Sequence, residues 1–319
     1  LGNHLNLHFW FKRPKSPFIQ AIVAFTTYNI THLFAKLNLY IQFLGTCFWA
    51  WYNPTDCIAR GETIPMHPVL WQIGDFQIRS YGVMIALGFA MAIWWSMRVA
   101  ARYGLDPEQI LDFVLPTALA GAIGSRLVYV MLDWSSFARE PLHALYLWEG
   151  GLSFHGGVIG GGLAVAFIAR RKGIPFLRIA DVLAPSVALA YAVGRIGCFL
   201  GGCCYGKPTT LPWACSFHDP FHPHLHTPPS HPTQIYAALS NVLVFFLLTR
   251  IQKSPHPTGE VFWAYVTLYG LYRFVVEFWR IGATSTVWLL GLSEAQWTSI
   301  GMVLVGGWAW WRGRLRSHS

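Results

Sequence analysis

The chain has 319 residues, of which 54% are hydrophobic and 12% charged, with a mean hydropathy of +0.40. A soluble domain carries about one quarter charged residues, so this composition excludes an ordinary soluble protein and points to a membrane protein. The net charge of +9 is spread between apolar runs, not gathered into a basic stripe with interleaved aromatics. That argues for membrane topology and against a nucleic-acid surface.

Residues 1–65 differ in character from the rest of the chain. They hold "FKRPKSPFIQ" and the aromatic-rich "LYIQFLGTCFWAWYNPTDC", which has no clean small-residue cleavage site. Met66 then opens "MHPVLWQIGDFQIRSYGVM". The break reads as a natural start at Met66, with 1–65 an upstream extension; the alternative is an additional N-terminal anchor. Beyond Met66, seven apolar stretches approach the roughly 20 residues that a spanning helix needs. They lie at about 81–100, 110–132, 152–169, 179–201, 233–249, 260–279 and 288–310. The expected fold is an all-α integral membrane protein, with seven transmembrane helices over 66–319 and an extracytoplasmic loop region. The longest connection, 205–232, is rich in Pro and His and reads as an ordered lid or surface loop.

Loop charge orients these spans. Alternate connections and the tail hold Arg98, Arg102, Arg170, Arg171, Lys172, Arg178, Arg250, Lys253, Arg312, Arg314 and Arg316. The others hold only Arg139, Lys207 and Arg280. The C-terminus is therefore expected in the cytoplasm, and the 205–232 loop outside.

Ionisable residues at membrane depth are costly and default to a functional hypothesis. His155 sits among glycines in "EGGLSFHGGVIGGG". A small-residue packing face explains those glycines, but it does not by itself call for an ionisable ring. Arg195 lies in "GRIGCFLGGCCYG" with no acidic residue nearby. It can snorkel to the interface, or it can hold a phosphate bidentately. Arg273 and Glu277, in "LYGLYRFVVEFWR", are four apart and share a helix face, as an intramembrane ion pair would. With Arg126 in "GSRLVYV", three intramembrane arginines imply an anionic ligand, most simply a phospholipid head group.

Cys198, Cys203 and Cys204 have spacings of five and one, unlike the paired spacing of a closed zinc site. The loop that follows adds five histidines, at 218, 222, 224, 226 and 231. A metal site and a disulfide on the oxidising side are both open, the disulfide being the simpler.

Five segments in order, "MHPVLWQIGDFQIRSYGVM", "GGLSFHGGVIGG", "GRIGCFLGGCCYG", "HPTQIYAA" and "LYGLYRFVVEFWR", give the chain its resemblance to the prolipoprotein diacylglyceryl transferases. The match runs from Met66 to about Arg316. The resemblance implies a bacterial inner-membrane enzyme that moves a diacylglyceryl group from phosphatidylglycerol to the lipobox cysteine thiol of a prolipoprotein signal peptide. It implies no metal and no organic cofactor, and the partners are those two substrates and the lipid bilayer, not nucleic acid. By motif position Tyr81, His155, Arg195, Gly206 and Arg273 match functional residues, and Glu277 matches the acidic residue after the second arginine. Arg195 and Arg273 would stabilise charge on the departing phosphate, and His155 would act either as base or as a head-group ligand. This chain departs from the family pattern at Cys198, where Asn is usual, at Cys203, where an acid is usual, and at Ala237, where Glu is usual. Two other classes, a multi-pass transporter and a metal-binding membrane protein, also fit the composition, though no inverted repeat of the transporter kind is visible.

A reporter fused after Arg316 is expected to read as cytoplasmic, and one placed within 205–232 as extracytoplasmic. The reverse pattern would overturn the orientation.

Overall fold

The computed structural model describes residues 69–73, 76–138, 140–146, 151–217, 226–282, 285, 287 and 289–318. The expected extension at 1–65 lies outside these residues. A two-stranded antiparallel hairpin comes first, β1 (Val69–Ile73) and β2 (Phe76–Arg79), in a register that pairs Val69 with Arg79 and Ile73 with Phe76. Seven long helices come after it among the described residues. They are α1 (Ser80–Ala100), α2 (Leu111–Leu132), α3 (Phe154–Arg171), α4 (Phe176–Leu200), α5 (Thr233–Lys253), α6 (Glu260–Glu277) and α7 (Glu294–His318).

Each helix falls on one of the seven predicted apolar stretches. The largest difference is at the last, expected from 288 and beginning at Glu294. Leu290 and Gly291 adopt positive φ (55° and 74°), a left-handed turn that a right-handed helix cannot contain. Four stretches are long and apolar enough to cross a membrane alone: Ser80–Tyr103, Pro107–Leu132, Phe176–Leu200 and Thr233–Lys253. Of the seven expected spans, four meet this measure among the described residues, and α3, α6 and α7 do not. Glycines dilute α3, while Glu260, Arg273 and Glu277 lie in α6, and Glu294, Arg312 and Arg314 lie in α7.

The outer surface is apolar. Leu115, Leu119, Ile123, Leu127 and Met131 recur every four residues along α2 and are all exposed. Comparable exposed residues are Ile159, Leu163 and Phe167 on α3, and Leu239, Leu243 and Phe246 on α5. A soluble protein would bury such stripes; with four helices apolar and long enough to span, the protein is a multi-pass membrane protein.

Helix α4 is the axis. It packs against α1, α5 and α6, and α6 in turn packs on α7. A buried Ser96–Ser186 hydrogen bond of 2.7 Å ties α1 to α4. At the other side, Asp181 of α4 is fully buried and accepts from the backbone N–H groups of Gly259 (2.5 Å) and Phe262 (2.8 Å). It caps the start of α6 from a neighbouring helix, satisfying donors that the first turn leaves open. The opposite face of that turn is held by Glu260, which accepts from Trp310 (3.0 Å) and Arg314 (2.6 Å) of α7.

Helices α2 and α3 form a close pair. A Cβ added at Gly156 would lie 2.1 Å from the Gly124 carbonyl oxygen, and one at Gly160 would lie 2.2 Å from that of Ala120. The glycines around His155 therefore serve helix approach, as small residues do in membranes. Gly156→Ala and Gly160→Ala should each destabilise the detergent-solubilised protein by about 1–3 kcal/mol through overpacking, read as a lower thermal midpoint. Gly162→Ala, whose Cβ would meet nothing within 4 Å, should leave the midpoint unchanged.

Candidate active site

Arg195 and Arg273 stand on the adjacent helices α4 and α6, with a tyrosine cluster between those helices. Tyr191 lies one turn before Arg195, and the Arg195 guanidinium sits 4.8 Å from the centroid of its ring. An Arg195 Nη2 donates to the Tyr191 hydroxyl (2.5 Å), which also accepts from the Tyr272 hydroxyl (2.8 Å). Ring centroids are 5.8 Å apart for Tyr191 and Tyr269 and 5.1 Å for Tyr269 and Tyr272. Tyr269 is within electrostatic reach of both Arg195 and Arg273. Ala237 and Val276 pack against the same rings.

The two arginines have different surroundings. Arg273 donates Nη1 to Glu277 Oε2. Glu277 is buried, its side chain 1% exposed, and its other oxygen accepts from Ser285 Oγ (2.9 Å) and Ser293 Oγ (3.4 Å). This carboxylate is enclosed by Arg273 and two hydroxyls, so it orients Arg273 and presents no open face of its own. Arg195 has no carboxylate partner among the described residues. Its guanidinium meets the hydroxyl and ring of Tyr191, in a setting where charge is expensive.

Tyr81, at the start of α1, is half-exposed. Its ring is 3.4 Å from where a Cβ on Gly197 would lie, and it is within electrostatic reach of Arg195. The structure thus brings Tyr81 to the Arg195 end of α4. His155 is exposed at the first turn of α3, where its ring meets Phe154. No hydrogen bond or ion pair links it to Arg195 or Arg273 among the described residues.

Gly206 holds the loop after α4 in place. Its N–H donates to the His231 carbonyl (2.8 Å), and the neighbouring Lys207 N–H donates to that of Trp279 (2.7 Å). A Cβ there would lie 2.3 Å from the Trp279 oxygen and 2.7 Å from Thr233 Cγ2. Any side chain at 206 would push apart the α5 start and the chain just after α6.

Two expectations need correction. Arg126 is not a third anion ligand. Its Nε donates to the Ala144 carbonyl (3.0 Å), Nη1 to that of Gly151 (3.2 Å) and Nη2 to that of His143. Its rim of aromatic rings is Tyr129 and Phe137. The guanidinium clamps the backbone leading into α3. The expected disulfide is also absent: Cys198, Cys203, Cys204 and Cys215 are free thiols. Three of the sulfurs, those of 198, 203 and 204, converge to within 4.8 Å of one another. Cys215 instead donates to the Trp213 carbonyl.

Sequence reasoning missed the tyrosines. Tyr265, Tyr269 and Tyr272 recur on one face of α6, and Tyr191 precedes Arg195 by one turn; that periodicity was the available signal.

The family model of prolipoprotein diacylglyceryl transferase matches residues 68–312. The chain belongs to this family. Among curated relatives, the phosphatidylglycerol–prolipoprotein diacylglyceryl transferase of Geobacter sulfurreducens is 36% identical over 244 residues, covering 75% of this chain and 92% of that protein. The protein of the same name from Clostridium tetani is 35% identical over 243 residues, covering 76% and 95%. That of Vibrio atlanticus is 34% identical over 261 residues, covering 79% and 93%. Family membership runs over the whole described bundle and includes both arginine helices.

Breaking one side of the enclosed pair strands a charge. Arg273→Gln and Glu277→Gln should each cost about 3 kcal/mol of stability. The double variant should cost less than their sum by about 0.5–3 kcal/mol. Unfolding titrations in mixed micelles of the three variants measure this coupling.

Proposed function

We propose that this chain transfers the diacylglyceryl group of phosphatidylglycerol to the lipobox cysteine thiol of prolipoprotein signal peptides, the first step of bacterial lipoprotein maturation. The observation that carries the mechanism is Arg195: a guanidinium on an apolar helix, held by Tyr191, with no carboxylate partner among the described residues. Such a group is prepared for an anion. The lipid phosphate fits, because a planar fork accepts two phosphate oxygens at once.

The substrate thiol gives its proton to a base. Imidazole is the side chain suited to that task near neutral pH, and His155 supplies one within the same bundle. The thiolate attacks the glyceryl carbon that bears the phosphate. A carbon–sulfur bond forms and the carbon–oxygen bond breaks. The electron pair leaves with glycerol phosphate, whose growing charge falls on Arg195 and Arg273. Those contacts strengthen as the bond breaks, so they lower the barrier. Glu277, Ser285 and Ser293 keep Arg273 in one orientation, and Tyr81 offers a hydroxyl at the lipid side. Displacement of this kind balances without a redox partner.

In this reading all seven helices span the cytoplasmic membrane of a bacterium. The C-terminal end of α4 and the 205–232 loop face outward, and the C-terminus faces the cytoplasm, as the loop charges require.

Lys keeps the charge of Arg but loses its fork. Arg195→Lys should therefore lower transfer from phosphatidylglycerol to a lipobox peptide by more than about tenfold, the scale of one lost transition-state contact. Its thermal midpoint should match the parent. Parental activity in Arg195→Lys, or a loss explained by unfolding, would remove the phosphate role.

A further inference from the structure

Cys198, Cys203 and Cys204 are unused by the transfer chemistry. Cys198 is buried at the last turn of α4, and Cys203 and Cys204 come next in the exposed turn. Their sulfurs all lie within 4.8 Å of one another. Two thiolates on one ion, each at about 2.3 Å, stand roughly 4 Å apart, so an ion at the centre needs only a small inward movement of each sulfur.

The backbone enforces this convergence. Cys204 takes a positive φ of 64°, a conformation that a non-glycine residue rarely adopts. The Cys203 N–H donates to the Cys198 carbonyl (3.1 Å). Two side chains from the start of α5 clamp the turn from the other side. Gln234 Nε2 donates to the Cys203 carbonyl (2.7 Å), and Thr233 Oγ1 to that of Cys204 (2.9 Å). The cluster is thus held by two helices, and its sulfurs meet without a bond between them.

Charge favours the same outcome. Arg195 and Arg280 both lie within electrostatic reach of Cys204. Arg280 also carries a buried Nε with no hydrogen-bond partner. Three thiolates on a monovalent ion leave two negative charges, and the two arginines supply two positive ones.

We propose that Cys198, Cys203 and Cys204 form a three-thiolate site for Cu(I) at the C-terminal end of α4. Soft thiolates select Cu(I), whereas structural Zn(II) takes four ligands, and no fourth Cys, His or carboxylate joins this group among the described residues. Binding releases the thiol protons to solvent and requires no change of oxidation state. The ligands are the three thiols; Arg195, which the transfer reading also uses, adds only its charge nearby, and copper binding is read without any lipid substrate.

The test uses the full chain, reduced and anaerobic in detergent, titrated with Cu(I) from a weak Cu(I) chelator. One Cu(I) per chain should bind, with thiolate-to-copper charge-transfer absorbance. Cys198→Ser, Cys203→Ser and Cys204→Ser should each weaken binding by about tenfold or more, as loss of a supporting contact alone can do. Cys215→Ser should leave it unchanged, and Zn(II) should not displace the copper. X-ray absorption of the unsubstituted protein, which does not depend on any variant folding, should show three sulfur neighbours. Nitrogen neighbours, undiminished binding in the triple serine variant, displacement by Zn(II), or no binding at all would each overturn the proposal.

Discussion

An arginine with no carboxylate partner among the described residues, placed on an apolar helix, is the constraint around which this bundle is arranged. Arg195 sits on α4, the helix that touches most of the others, and its guanidinium is supported by the face and hydroxyl of Tyr191. Hydroxyl and π contacts hold a cation in place without cancelling its charge. A nearby carboxylate would have been cheaper for the fold and would have closed the site. The cost is met by packing: the tyrosine cluster spans α4 and α6, and α5 seals its edge with Ala237.

The charged groups elsewhere in the bundle are treated differently, which makes Arg195 stand apart. Arg273 has Glu277, and Glu277 has two serines besides. Arg126 is surrounded by carbonyls from the segment ahead of α3. Asp181 is consumed by the first turn of α6. Each of these groups stabilises a helix end or a turn, and each has its partners within the protein. Arg273 is intermediate, because its orientation is fixed by Glu277 while its charge remains close to the shared tyrosines.

Much of the fold was legible because spanning helices must be apolar over a fixed length, and all seven apolar stretches hold helices. The start of α7 was not, since the positive φ at Leu290 depends on local turn geometry that "WLLGLSE" does not advertise. The candidate site was legible as residue types in motifs: Tyr81 falls within reach of Arg195, and Tyr269 within reach of Arg195 and Arg273. Its supports were less so. The partners of Arg126 are backbone carbonyls, which have no residue signature. Asp181 caps a helix 78 residues away, and only the packing of α4 on α6 joins them. Gly206 was legible only by motif position; the crowding by Trp279 and Thr233 around it arises from a meeting of chain segments far apart in sequence.

Reservation of Arg195 for a phosphate is tested most directly by equilibrium binding of two lipids with the same acyl chains, phosphatidylglycerol and uncharged diacylglycerol. Both are measured on the parent protein and on Arg195→Gln in nanodiscs of neutral lipid. The parent should prefer phosphatidylglycerol by at least about tenfold, the scale of a charge-assisted contact. The preference should collapse in Arg195→Gln while diacylglycerol affinity is unchanged. A preference of equal size in both proteins would contradict a phosphate role for Arg195.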